Sequence, residues 1–222
     1  LLIGAGTLAV CGVGASVLGR RRMGSMDEYN AAVAASRAAL SQRPSLRELI
    51  HYATLAASGH NTQPWRFRVS EGQVDILPDF ARRTPAVDPD DHHLFASLGC
   101  AAENLVIAAR ASGRETNVLF DPAHAGTVQC VFERTAANDT SALLDAIALR
   151  QSTRADFDGK AVSAAELRIL AAAAATEGVD VVLITDRSEM DRVSELVVSG
   201  NNAQMADPAF VRELKAWLRF SP

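Results

Sequence analysis

Several things are missing from this sequence, and each absence narrows the choice. The three cysteines, Cys11, Cys100 and Cys130, fall in no paired spacing, which points away from a disulfide framework and from a zinc site. Basic runs are missing apart from Arg20-Arg21-Arg22, and the formal net charge is −4, which argues against nucleic acid as a partner. Gly4-x-Gly6 and Gly12-x-Gly14 lack the strand–turn–helix surroundings of a nucleotide loop. Charge is missing altogether from Leu1 to Gly19. As a helix that stretch would span about 28 Å, roughly a bilayer core. Residues 1–24 therefore read as an apolar export signal or membrane anchor, placing the protein on the extracytoplasmic side, with a cytoplasmic location as the alternative. Arg20 to Arg22 follow the apolar run, and positive charge there opposes simple export. Leu8-Ala9-Val10-Cys11 is lipobox-like, except that Val10 stands where a small residue is wanted. There is no starting Met, so the chain is expected to be cut at its N-terminus.

What remains is a chain able to fold. Its 222 residues are 48% hydrophobic, enough for a sizeable core, and heavy use of Ala points to high helix content. Residues 25–44 read as a linker with an Ala-rich helix, Asp27 to Leu40, that lacks a clear apolar stripe. Next, Leu46, Leu49, Ile50 and Ala53 recur at helical spacing behind Ser45-x-x-Glu48, a capping box. Trp65, Phe67 and Val69 alternate with Arg66 and Arg68 as in a half-buried strand. Between helix and strand lies Ser58-Gly59-His60-Asn61-Thr62-Gln63-Pro64, a polar loop on two fixed elements. Asn61 and Gln63 each offer a donor and an acceptor, which suits the edge of a planar heterocycle better than a metal ion or a phosphate. The same residue types also make an ordinary polar turn.

Read together, A-x-S-G-H-N-T-Q-P-W-R-F resembles the flavin-ring motif of the nitroreductase superfamily, A-P-S-x-x-N-x-Q-P-W-x-F. Ala57 replaces the Pro often found there. The His before Asn and the apolar N-terminus are most similar to the exported, tandem-fused nitroreductase-like branch. That resemblance implies a twin-arginine (Tat) export signal whose arginines would precede Leu1.

Further along, Val74 to Leu77 returns from a turn at Glu71-Gly72, so a hairpin is expected. Asp79 to Asp91 is a charged, Pro-containing loop. His92 and His93 beside three aspartates invite a metal reading, but neighbours on a helix diverge, and a helix N-terminus favours carboxylates anyway. Leu94 to Ala111 is apolar nearly all round and is expected at the domain centre, with Gly99 allowing close packing and Gly113 as its C-cap. Glu103 and Asn104 are its polar exceptions, either capping a network or facing a ligand. Thr116 to Phe120 and Thr127 to Glu133 read as strands joined by a turn that carries His124.

The second chemical signal is Arg150-Gln151-Ser152-Thr153-Arg154. In an extended segment Arg150, Ser152 and Arg154 share one face, and two guanidinium forks with a hydroxyl suit a phosphate. Two solvated arginines are the plain alternative. The superfamily carries R-x-S-x-R as its flavin phosphate clamp, but ahead of the ring motif; here it follows by nearly ninety residues.

An internal repeat accounts for the order. Ser45-x-x-Glu48 and Ser163-x-x-Glu166 each cap a helix, followed by a strand at Arg66 to Val69 or at Val179 to Ile184. The first copy has the ring loop and no clamp at the matching distance; Arg43-Pro44-Ser45-Leu46-Arg47 fits by letter, yet Ser45 is committed as a cap. The second copy has the clamp and only Thr176-Glu177-Gly178 in place of the loop. Asp186 and Glu189 then start a helix through Val193 and Leu196, and Asp207-Pro208 another, ending near Leu218.

The expected fold class is α+β: a nitroreductase-like fold in two tandem halves, residues 45–135 and 141–222, forming a pseudo-dimer whose second half is incomplete. The resemblance implies one composite FMN site, with Ser58, His60, Asn61 and Gln63 toward the ring and ribityl chain and Arg150, Ser152 and Arg154 on the phosphate. His60 as a packed turn histidine is equally open. It also implies an oxidoreductase passing hydride from NAD(P)H through the flavin to a nitroaromatic, quinone or similar acceptor, with no protein acid or base assigned. The alternatives are an FMN-binding or FMN-sequestering protein without turnover, and an anchored domain with a degenerate site.

Overall fold

The computed structural model describes residues 25–38, 41, 44–135, 142–152 and 155–218. The expectations placed on segment 1–24, on Leu40, on Arg43 and on Arg154 lie outside the described residues. Two compact units are present: described residues up to Arg150 and from Arg212 form one, and Gln151–Val211 the other.

The first unit is built on a four-stranded antiparallel sheet in the order β1-β2-β4-β3, comprising β1 (Trp65–Ser70), β2 (Gln73–Pro78), β3 (Arg114–Asp121) and β4 (Thr127–Arg134). The turn at Glu71-Gly72 sets the register of the first hairpin, pairing Phe67 with Ile76 and Trp65 with Pro78. On β4, Cys130 pairs with Val74 and Val128 with Ile76. One sheet face therefore carries Trp65, Val74, Ile76, Val128 and Cys130, all buried, and packs on helix α3 (His92–Ala111) through Leu94, Leu98, Ala101 and Leu105. Burial of Val74, Ile76, Leu98 and Leu105 contributes about 1.5–3 kcal/mol each.

Three more helices complete this part: α1 (Met26–Ala38), α2 (Leu46–Thr54) and α4 (Ala142–Leu149). Helix α2 starts at the Ser45–Glu48 capping box, with both reciprocal bonds formed. Its Leu49 and Tyr52 meet Ala108 and Ala109 of α3 and Leu144 and Ile147 of α4 in a second cluster. The Asn104 amide donates to the Tyr52 carbonyl at 3.1 Å, so this polar exception on α3 ties two helices together.

Helix α3 departs from expectation in two respects. Half of it is buried, and Gly99 is exposed with no neighbour within 4 Å of an added Cβ, so Gly99 serves no close approach. At its N-terminus Asp91 sits at φ 59° and makes no side-chain cap bond; it takes a two-pronged ion pair from Arg83 at 3.0 and 2.6 Å. The cap comes from Asp88, whose carboxylate accepts the backbone N–H groups of His93 and Leu94, each at 3.0 Å.

In the second unit, α5 (Ala164–Ala174) repeats the capping box with Ser163 and Glu166, and α6 (Arg187–Ala206) is capped by Asp186, which accepts the Glu189 N–H at 3.0 Å. The expected strand Val179 to Ile184 does not form. Its only pairing among the described residues is a single bridge, Thr176 to Val179. An extended segment becomes a strand only where a neighbour takes up its N–H and C=O groups, and 180–184 has none there. Helix α7 (Pro208–Trp217), counted with the first unit from Arg212 on, begins with Pro at its first position, as expected. This α+β arrangement of a small antiparallel sheet and seven described helices is compatible with a nitroreductase-like fold.

Candidate functional site

Helix α2 ends at Leu55, and the chain reaches β1 at Trp65 through a short 3-10 turn, Gly59–Asn61. Within this passage three residues other than glycine take left-handed backbone: His60 at φ 48°, Asn61 at 53° and Gln63 at 52°. Each such residue costs on the order of 1–2 kcal/mol, less for Asn, and survives only where the surroundings over-determine it.

The surroundings do so. Asn61 N–H donates to the Ser58 carbonyl at 3.0 Å, Thr62 N–H to Gly59 at 2.9 Å and Trp65 N–H to Gln63 at 2.9 Å. The Ser58 hydroxyl oxygen accepts the Gln63 N–H at 3.0 Å, and Ser97 on α3 accepts the Gly59 N–H at 3.4 Å. From the far end of the hairpin, Asp79 N–H donates to the Pro64 carbonyl at 2.9 Å, and the Arg82 guanidinium to the Thr62 carbonyl at 2.8 Å. Thr62 and Pro64 are buried. Behind them, between the loop and the start of α3, the remaining cavity is about 10 Å³, room for about one water. The loop is filled from inside, which leaves its outer side for a ligand.

On that outer side the side chains are less committed than the backbone. Asn61 is exposed and Gln63 half-buried, and among the described residues neither amide group has a hydrogen-bond partner. His60 is half-buried and engaged in interactions of its own. Ser58 spends an acceptor lone pair on Gln63 and keeps its O–H as a donor.

Arg150 follows α4, and its guanidinium donates to the Leu55 carbonyl at 3.0 Å, three residues ahead of Ser58. Its own N–H still bonds the Ala146 carbonyl at 2.8 Å. The last helical bond of α4 thus holds the N–H of Arg150, where an extended segment was expected to start. The structure thus brings Ser58, His60, Asn61 and Gln63 onto one loop and sets Arg150 against the end of the helix feeding that loop. Ser152 is exposed in the second unit, and Arg154 lies outside the described residues.

Asp79 and Arg82 were not singled out in the sequence, although a signal was there. A two-residue turn at Glu71-Gly72 puts Pro78 opposite Trp65, and so delivers Asp79 to Pro64. Asp79 is buried and pairs with Arg66 at 2.9 Å and with Arg82 at 3.7 Å. The Arg66 guanidinium, against the opposing effect of burial, holds its carboxyl below the usual carboxylate range. A larger cavity, about 400 Å³, lies between α3 and β3. It is walled by Phe95, Val106, Val118 and Phe120, with Glu103 its one charged group, and offers no amide or cation to a polar heterocycle.

No known family model matches the chain. Two curated Mycobacterium tuberculosis proteins do, from strains CDC 1551 / Oshkosh and ATCC 25618 / H37Rv: "Putative NAD(P)H nitroreductase MT3217" and "Putative NAD(P)H nitroreductase Rv3131". Each is 29% identical over 179 residues, covering 78% of this chain and 51% of the relative. The chain thus spans about half the length of the curated relatives it matches. This similarity, together with the α+β fold and a rigid loop of free amides, supports a relation to the nitroreductase superfamily.

Proposed function

We propose that this chain is the FMN-binding part of an NAD(P)H-dependent oxidoreductase of nitroreductase type, acting on a nitroaromatic, quinone or similar acceptor. One observation carries the reading. Around Gln63 the backbone groups are held in left-handed geometry, while the Asn61 and Gln63 amides remain unpartnered toward the outside. Paired donor and acceptor groups on a fixed loop suit the N–H and C=O edge of an isoalloxazine ring. The relatives' names, putative NAD(P)H nitroreductases, support the reductase part of the reading.

In this reading Asn61, Gln63 and the Ser58 hydroxyl orient the ring edge, and His60 contacts the ring or ribityl chain. Arg150, with Ser152 and Arg154, neutralises the phosphate. Arg150 uses one guanidinium nitrogen on Leu55 and retains further N–H donors for an anion. When bound, FMN supplies the redox chemistry, and the protein contributes placement and electrostatics. Two tandem halves, 45–135 and 141–222, would share this one composite site as a pseudo-dimer. The apolar segment 1–19 would carry the protein to the membrane or beyond it.

The test is the absorption spectrum of the isolated protein, followed by anaerobic addition of NADH or NADPH and reoxidation by a nitroaromatic. Flavin bands that bleach and recover are the expected result. Bound flavin that neither nicotinamide bleaches would leave a sequestering protein and refute the reductase. For the clamp, Arg150→Ala should weaken FMN binding about tenfold, the low end for a charge-assisted bond because Arg150 is exposed. Unchanged affinity in that variant would remove Arg150 from the site.

A further inference from the structure

We infer that Arg82 and Asp79 are positioning residues for the Gln63 amide, acting from outside the motif. The inference rests on the flavin reading of the loop and adds to it what sets the direction of its central side chain. Gln63 lies between two carbonyls that the segment after β2 holds: Thr62, bonded by the Arg82 guanidinium at 2.8 Å, and Pro64, bonded by the Asp79 N–H at 2.9 Å. Its own N–H is taken by the Ser58 hydroxyl and its carbonyl by Trp65 N–H. The peptide plane before Gln63 is thus bonded at both ends, through the Thr62 carbonyl and the Gln63 N–H, the plane after it through the Gln63 carbonyl, and the next one through the Pro64 carbonyl, which restrains φ and ψ of Gln63. Its Cα–Cβ bond therefore leaves the loop in one direction, from which the side chain starts.

Asp79 and Arg82 act as one device. The Asp79 carboxylate also accepts the Ala81 N–H at 3.2 Å, which folds the short turn Phe80–Arg82 and places Arg82 beneath Thr62. Arg66 pairs with the same carboxylate from β1, so the device is anchored to both strands of the hairpin. A purely structural ion pair would have no need to address a carbonyl inside the loop. Arg82 spends its shortest contact there, at 2.8 Å, against 3.7 Å to Asp79.

The experiment uses Arg82→Ala and Arg82→Lys with two readouts. In the protein without added flavin, Arg82→Ala should speed hydrogen exchange at the Gln63 and Trp65 amides at least tenfold, with the β2–β4 ladder unchanged. With FMN as the probe, the same variant should bind about tenfold more weakly and shift the visible flavin band. Arg82→Lys, whose ammonium still reaches the Thr62 carbonyl, should recover part of both effects. Unchanged exchange at Gln63, or an affinity loss that only follows a global loss of stability, would overturn the inference. Failure of the unaltered protein to take up FMN would sink the flavin reading, while the exchange result still decides whether Arg82 holds Gln63.

Discussion

The cap that starts α3 supplies the sharpest stability test. Asp88 is 2% exposed, and its carboxylate accepts the His93 and Leu94 N–H groups and the His93 ring Nδ1, all at 3.0 Å. Asp88→Ala removes all three acceptor contacts at once. The Leu94 N–H is then buried without a partner, at about 1–3 kcal/mol. The His93 N–H is near a largely exposed side chain and recovers water, so the cap it loses counts for about 1 kcal/mol. The total is about 2–4 kcal/mol, a large share of the 5–15 kcal/mol typical of a domain. Urea unfolding at pH 7 should show it as a midpoint lowered by about 1–2 M. The pH course is a second check. Burial pushes the Asp88 carboxyl up, but the two backbone N–H groups and the His93 ring together outweigh it, so its folded pKa is lowered. Its stabilisation is therefore fully present above the unfolded value of about 3.9, and is lost as pH falls through the folded value. The gap between the unaltered protein and Asp88→Ala should narrow as pH falls below about 4. A gap under about 0.5 kcal/mol at neutral pH, or one that persists unchanged to pH 3, would refute the assignment of Asp88 as the cap.

Two further outcomes follow from the same coordinates. Gln63→Gly relieves left-handed strain while adding unfolded-state entropy, so stability should stay within about 1 kcal/mol of the original, whereas FMN affinity should drop about tenfold; strong destabilisation would show that Gln63 serves the fold. Burial pushes the Cys130 thiol up to about 12, while Cys100 is exposed on α3, so iodoacetamide at pH 8 should modify Cys100 and spare Cys130 in the folded protein, as mass mapping would reveal.

The elements that could be read from the chain are those whose signal is local. Both Ser-x-x-Glu boxes formed because a cap needs only four consecutive residues, and the Glu48 carboxyl sits at about 2, chiefly because the Ser45 N–H bonds it. The hairpin formed because a short turn and period-two alternation leave one register. Non-local features escaped. Val179 to Ile184 has the composition of a strand, but composition supplies no pairing edge. Asp91 stood where a cap belongs, yet Arg83 captured it, and Asp88 took over from three residues upstream. In the candidate site the residue types were legible, but the hold on them was not, since it arrives through the hairpin from Asp79 and Arg82.

The placing of strain separates a ligand loop from an ordinary turn here. Five non-glycine residues among those described have positive φ: His60, Asn61, Gln63, Asp91 and Ala125. Two of them reverse the chain or open a helix, Ala125 after the β3–β4 turn and Asp91 at the start of α3, where the path of the backbone is reason enough. The other three fall within four consecutive positions, between α2 and β1. Glycine would supply that geometry at lower strain, and Gly59 shows that the loop tolerates it next door. Keeping Asn and Gln at these positions retains strained backbone together with two side-chain amides that have no hydrogen-bond partner among the described residues. That pattern fits the flavin proposed as the partner of those amides.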